Sequence, residues 1–593
     1  MIMCGIFGII NIDKRPVDQT ELYAGIKLLE HRGPDGHGQH IDRHLCLSAC
    51  RLKIMDQDDL ANQPFTWNQY VLLFNGCIYN YAEVRAELIQ QGYSFDTTSD
   101  TEVVIKAYDH WGKSCLSKFN GMWAIVIYDS SNKDIFLSRD RYGIKPLYYY
   151  QSLSQFAFAS EIKAFTALTS WEAIANHKTI SAYLAYGMQD YGAETMFENV
   201  KQLPAGSYAS INTRDHRLDI HSYYKIGDGA IREDLNEQDA INQFQYLFHD
   251  SIKLRHGTAY DLGYCLSGGL DSSSILCESL SDSADFGKSI SVIYNQPEID
   301  ESRYVKEVIH QYPTDHYQIS PSLKNLIQKL PSLIWTQDEP FSSASVYAQH
   351  ELYGKAQDLS LKVMLDGQGA DEILGGYDIF YLSQIKHAMR QNPLKLISTI
   401  SHLFGQYNNS YANAWKRYKQ YRTKKKQVGH AWLKMQVDIP IRAQEKSIRD
   451  TSQYLMSEMG LPVLLHYADR NSMAHSIESR LPFLDYRLVE FCLNLKDSMK
   501  INKGIRKWIL RESMKEKLPH LIYERKNKLG FETPQKQWMK DHEAALNQLK
   551  IEAVNDLTEI VNRKATLSMS NPEITWRLIS LSIWKNRFGV KDL

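Results

Sequence analysis

The sequence predicts an α+β domain rich in turn-joined strands, followed by an α/β domain with a parallel sheet and a helical C-terminal part. Three observations point there. At 593 residues the chain is too long for a single hydrophobic core. Its first third is a series of short β-branched and aromatic runs punctuated by Gly, Asn and Asp. From about Asp239 onward, apolar strands alternate with helical segments, the pattern of a parallel sheet covered by helices.

In chain order, strands are expected at 4–10, 45–50, 70–74, 123–128, 135–138 and 156–160, with helices at 20–31 and 81–91. The stretch 203–232, with its Pro, Gly and polar residues, marks the boundary, so domains at 4–205 and 239–593 flank a linker at 206–238. Strands at 262–266, 289–294 and 361–365 belong to the second domain, and after residue 380 the chain reads as mostly helical.

Apolar residues make up 43% and charged residues 23%, as in a soluble globular enzyme, and the net charge of −1 gives no bias toward nucleic acid or acidic lipid. The eight cysteines show no disulfide framework, and Cys46 and Cys50 lack a matching Cys or His pair for zinc. Free thiols suit a reducing cytoplasm. No apolar run reaches membrane-spanning length. A cytoplasmic protein is expected, with neither nucleic acid nor membrane as partner. The one basic run, 417–426 (RYKQYRTKKK), reads as a solvated helix or loop.

Cys4-Gly5-Ile6-Phe7-Gly8 lies close to the N-terminus. If Met3 is the start and is removed, Cys4 carries both a thiol and a free α-amine. An amine of pKa about 7.7–8.0 can serve as general base for its own thiol. Removing Met1 alone would leave Ile2-Met3 in the way, so either Met3 initiates or the first residues are trimmed.

Further on come His31-Arg32-Gly33-Pro34-Asp35, Arg51-Leu52-Lys53-Ile54, Asn75-Gly76, Ser99-Asp100-Thr101-Glu102, Arg139–Pro146 and Ser160-Glu161-Ile162-Lys163. With these motifs residues 4–205 resemble the class II glutamine amidotransferases, whose nucleophile is an N-terminal cysteine. The resemblance implies layered antiparallel sheets with helices and a cysteinyl thioester. It also implies an oxyanion hole from the Asn75 side chain and Gly76 N–H, and a glutamine site at Arg51, Leu52, Ile54, Asn75 and Asp100. Arg51 would take the glutamine carboxylate bidentately and Asp100 its ammonium. Cys77 stands where the family has Glu, which removes an acidic contact to that ammonium.

In the second part, Ser267-Gly268-Gly269-Leu270-Asp271-Ser272-Ser273 follows the strand 262–266. Paired glycines let backbone approach an anion, and the next helix N-terminus offers free N–H groups. The run resembles the pyrophosphate loop of ATP pyrophosphatases, which implies ATP contacts from Leu266 through Ser273, from Val292 beside the adenine, and from Asp366 and Gly367. Asp271 and Asp371 are the expected magnesium ligands. Asp338-Glu339-Pro340-Phe341, Asp366–Glu372, Gly375-Gly376-Tyr377, Asp469–Ser476, Glu478–Asp485 and Lys528-Leu529-Gly530-Phe531 continue the pattern of the asparagine synthetase family, extending the resemblance to nearly the whole chain.

That resemblance places Lys528 on the phosphates, and Glu372 and Arg480 on the acceptor. It implies a homodimer and the conversion of ATP, glutamine and a carboxylate, aspartate by default, into amide, AMP, pyrophosphate and glutamate. Gln368 replaces the family Glu assigned to proton transfer. A glutamine side chain cannot take a proton at neutral pH, so either Asp366 takes over or the acceptor differs, for example a uronic acid of a surface glycan. A non-catalytic regulatory descendant is disfavoured by Cys4, Arg51, Asn75, Asp100, Asp271, Asp371 and Lys528, all of which remain.

Overall fold

The structure, a computed structural model, describes residues 2–54, 59–212, 217–281, 287–391, 432–437, 447–526 and 533–593. The basic run at 417–426 and Lys528 with Leu529-Gly530-Phe531 lie outside the described residues.

Twelve strands form the N-terminal part: β1 (Ile2–Asn11), β2 (Gly36–Asp42), β3 (Leu45–Lys53), β4 (Phe65–Trp67), β5 (Tyr70–Ile78), β6 (Gly121–Asp129), β7 (Asp134–Arg139), β8 (Tyr148–Gln151), β9 (Gln155–Ala159), β10 (Val200–Gln202), β11 (Ser207–Asn212) and β12 (Leu218–Ser222). All pair antiparallel. One half runs β10-β8-β9-β1-β3-β2 and the other β4-β5-β6-β7-β11-β12, joined where Ile2 pairs with Gly76.

The period-2 pattern explains the layering. Cys4, Ile6 and Ile10 of β1 share one core with Val71 and Leu73 of β5 and with Val126 and Tyr128 of β6. The alternate residues face helices. Phe7 and Ile9 meet α1 (Gln19–Lys27), while Leu72, Phe74, Ile125 and Ile127 meet α2 (Tyr81–Gln90) and α3 (Asp100–Trp111). Because adjacent residues of a strand point to opposite faces, strands apolar on both faces demand a covering layer on each side.

The second sheet is parallel throughout: β13 (Leu262–Cys265), β14 (Lys288–Val292), β15 (Asp315–Ile319), β16 (Val363–Leu365) and β17 (Glu478–Arg480), in the order β15-β14-β13-β16-β17. The chain reverses its direction of sheet growth between β13 and β16. In open α/β sheets that switch point opens a crevice beyond the carboxyl ends of the strands.

Three expectations change. The segment 206–238 is not a linker throughout, because β11 and β12 extend the first sheet to Ser222. The helix expected at 20–31 stops at Lys27, and a separate 3₁₀ turn, Glu30–Arg32, carries the end of that segment. β15 and β17 were not foreseen, since polar and charged residues occupy most of both strands. Among the described residues no helix is long and apolar enough to cross a membrane.

Candidate active sites

The first site is built at the open end of β1. Cys4 is buried and pairs across the ladder with Arg51 of β3. Its backbone N–H lies 3.3 Å from the Asn75 side-chain oxygen on β5, and Gln63 Nε2 donates toward the Cys4 sulfur at 3.5 Å. Gln63 is itself fixed by two bonds to the Phe74 backbone, at 2.9 and 2.6 Å. The Asn75 amide nitrogen is buried without a hydrogen-bond partner among the described residues. A buried donor is costly to leave unpaired, so this one suits an oxygen that arrives with substrate. Gly76 is required beside it, because a Cβ there would come within 2.2 Å of the Met122 carbonyl.

Burial pushes the Cys4 thiol well above its usual pKa and Cys50 adds to this; Arg51, the Leu52 N–H and Arg32 pull the other way. Arg51 is buried, with one guanidinium nitrogen 2.6 Å from Asn62 Oδ1. Asp100, buried in the first turn of α3, accepts from the Ile78 N–H at 3.0 Å. Leu52, Ile54 and Cys77 are buried and belong to an apolar cluster with Met122 and Ile144, which continues into Leu266 and Leu270 of the second domain. The structure thus brings Cys4, Arg51, Asn75, Gly76 and Asp100 to one end of the strand layers.

The second site is a cavity of about 290 Å³ at the switch point. Leu266, Ser267, Gly269, Leu270, Asp271 and Ser272 line it after β13, and Asp366, Gly367, Gln368 and Asp371 line it after the neighbouring β16. Val292 lines it from β14. Gly268 adopts φ +70°, with its would-be Cβ 2.8 Å from Tyr304, so glycine alone fits there. The loop then enters α5 (Leu270–Ser281), whose N-terminus faces the cavity.

Three of the expected side chains stand outside the cavity lining. Arg480 is fully buried in β17, bonded to Glu478 and to the carbonyls of Arg255 and Gly257, and does not line the cavity. Glu372 is buried behind Tyr377, whose hydroxyl donates to it at 2.7 Å; burial raises its carboxyl pKa. Ser273 is buried within α5, outside the cavity lining. Lys528 falls among the residues not described.

A lysine that the sequence did not single out, Lys507, stands between the two aspartates of this cavity. Its Nζ lies 2.6 and 2.5 Å from the two Asp271 oxygens and 2.6 Å from Asp371. A tight hairpin, Ile501–Asn502 with Ile505–Arg506, closes through Lys503 and Gly504, both at positive φ, as a two-residue turn requires. Lys507 follows it at φ +53°. Gly376 makes room, since a Cβ there would sit 1.8 Å from Asp371 Oδ1 and 2.4 Å from Lys507 Cε. The legible signal was Lys-Gly between short apolar runs, then Arg-Lys opening a helix. Gln63 gave no comparable signal.

Between the sites lies a buried charge network. Arg32 donates to Glu161 at 2.7 Å and to both Asp469 oxygens at 2.8 and 3.1 Å. Lys163 pairs with Glu161 and Asp338, and Arg470 with Asp338. Burial would raise the Asp469 carboxyl, but Arg32 and Lys145 outweigh it and hold it below the usual range. Nearby, Asp190, Glu339 and His466 bring possible metal donors within 4.8 Å. His466 Nδ1 faces both Asp190 oxygens at 3.0 Å and Nε2 faces the Gln337 carbonyl at 2.8 Å. Both ring nitrogens face acceptors, an arrangement that favours the protonated ring; burial would lower the His466 pKa, but Asp190, the main cause acting against it, raises it.

Fold and sites define a class: an ATP-dependent ligase fed by a glutamine amidotransferase domain. The family model described as glutamine amidotransferase domain matches residues 3–224, and the one described as asparagine synthase matches residues 243–585. The chain belongs to the asparagine synthase family. It is similar to asparagine synthetase [glutamine-hydrolyzing] 1 of Bacillus subtilis (strain 168), 28% identical over 91% of this chain and 88% of that protein. Asparagine synthetase [glutamine-hydrolyzing] 3 of the same organism is 27% identical over 95% and 92%. The amidase chry2 of Gibberella zeae (strain ATCC MYA-4620 / CBS 123657 / FGSC 9075 / NRRL 31084 / PH-1) is 26% identical over 89% and 87%.

Proposed function

We propose that the chain is a glutamine-dependent asparagine synthetase. The observation that carries this reading is the apolar cluster running from Leu52, Ile54 and Cys77 to Leu266 and Leu270, which begins at Leu52, whose backbone N–H bonds to the Cys4 thiol, and ends at the nucleotide-type loop. Ammonia crossing such a region stays unprotonated and therefore nucleophilic, whereas in bulk water it is mostly ammonium.

The Cys4 sulfur attacks the glutamine side-chain amide. The Asn75 Nδ2 and Gly76 N–H stabilise the oxyanion, ammonia leaves, and water hydrolyses the thioester to glutamate. With Ile2-Met3 attached, the Cys4 nitrogen is a peptide N–H and cannot act as a base, so the active form begins at Cys4. Intact-mass measurement checks this: an active enzyme that retains Met1-Ile2-Met3 contradicts it. In the second cavity the acceptor carboxylate attacks the α-phosphorus of ATP and pyrophosphate departs, with Lys507 stabilising its charge. Ammonia then displaces AMP from the β-aspartyl adenylate and gives up a proton to Asp366, whose carboxyl pKa burial lifts to about 6.

Asp271 and Asp371 converge on one cationic point, the Lys507 ammonium, and as hard oxygen donors they fit magnesium. They would hold it beside the phosphates, where it would neutralise phosphate charge.

A second reading is favoured by Gln368, which lines the cavity where the family Glu is expected: amidation of another carboxylate, such as a uronic acid. Amide formation across a panel of carboxylic acids decides between them. Turnover of aspartate supports the first reading. Glutaminase activity with no aspartate turnover rejects it.

A further inference from the structure

We infer that Asp469, a carboxylate of the synthetase domain, is a positioning residue for glutamine hydrolysis, acting on Cys4 through Arg32. The inference rests on Cys4 being the glutaminase nucleophile.

Asp469 lies near the end of α6 (Leu461–Met473) and reaches across the domain boundary. Its two oxygens take the two terminal nitrogens of Arg32, a fork geometry that fixes both the position and the plane of the guanidinium. The remaining Arg32 Nε donates to the Cys4 carbonyl at 3.4 Å. Arg32 is fully buried, so no water can replace a lost partner. Glu161 cannot hold the group alone, because it also binds Lys163 and His31.

A second strut runs from the next residue. Arg470 donates to the Ser160 carbonyl at 3.1 Å, and the Ser160 hydroxyl accepts from the Ile6 N–H at 3.0 Å, two residues along β1 from Cys4. The conformation of β1 at the nucleophile is therefore set partly from the other domain. The same helix presents Leu464 and Tyr467 to the nucleotide cavity. One rigid element thus touches both sites, and its docking completes the glutaminase only when the consumer of ammonia is in place.

The test is Asp469→Asn in the full-length chain. The replacement keeps the shape but turns an N–H donor toward an Arg32 donor. Misplacement by about 1 Å costs on the order of 10²-fold. Glutaminase kcat should fall about 10- to 100-fold, with KM for glutamine and ammonia-dependent amide synthesis each within about 3-fold of the parent. Asp469→Glu, which keeps the charge, should recover part of the glutaminase. In an Arg32→Lys background, Asp469→Asn should add little, because residues that act as one unit are non-additive. Unchanged glutaminase in Asp469→Asn overturns the inference. Parallel loss of both activities with a lowered Tm in both variants also overturns it, since that is the mark of a merely structural role. A parent that synthesises amide from ammonia yet has no glutaminase overturns the Cys4 assignment itself, and this inference with it.

Discussion

Replacing Lys507 by Met removes the cation from between Asp271 and Asp371 while keeping the length of the side chain. At an effective dielectric constant of about 20, a unit charge 2.6 Å from Asp371 gains about 6 kcal/mol before desolvation. Desolvation is the larger effect here and, with Arg506, lowers the Lys507 pKa despite Asp271 and Glu372. Folding therefore gains little from this lysine, and its worth lies in the reaction, when phosphate charge develops beside it. Removing one preorganised electrostatic contact typically costs about 2.7–4 kcal/mol, or about 10²–10³-fold. AMP and pyrophosphate release with ammonia as nitrogen donor should fall by about that factor, while glutaminase measured in the same preparation stays within about 2-fold. Lys507→Arg should rescue poorly, because the narrow ammonium stem fits against Gly376 and a guanidinium fork does not. Retention of AMP release within about 5-fold in Lys507→Met would refute the reasoning.

Asn75→Ala should lower glutaminase kcat about 10²–10³-fold and leave ammonia-dependent synthesis intact; equal loss of both activities contradicts the oxyanion role. Gly376→Ala should drive Asp371 and Lys507 apart and reduce AMP formation at least about 10-fold with glutaminase unaffected, as read by the paired assays. The carboxyl of Asp366, raised to about 6, is ionised only above that pH. Synthesis normalised to free ammonia should therefore rise through about pH 6 and level off, and Asp366→Ser should abolish that limb and cost about 10²–10⁴-fold. Gln368→Glu should restore part of the loss; a pH limb that survives in Asp366→Ser removes Asp366 from the role of base.

Much of this molecule was legible because the relevant physics is local. Short β-branched and aromatic runs punctuated by Gly, Asn and Asp located β1, β3, β5, β6, β7 and β9 to within a few residues, since a strand buried on both faces reads as a continuous apolar run. The Ser-Gly-Gly-Leu-Asp-Ser run specified a loop, because two glycines and a helix start are a backbone requirement readable over six residues. The strands β15 and β17 escaped, because they owe their place to parallel neighbours rather than to their own polar composition.

Only the tertiary structure decided which charged residues face substrate. Arg480 and Lys507 look alike in sequence, each a cation beside apolar residues. Packing of β17 against α4 (Glu237–His256) and the residues after it turns Arg480 onto the carbonyls of Arg255 and Gly257, while a tight hairpin delivers Lys507 between two aspartates more than 100 residues away. Asp469 likewise meets Arg32 across 437 positions of chain. Side-chain type and local spacing set what chemistry a residue is able to perform. Burial and long-range pairing, which no local window contains, set whether it is free to perform it.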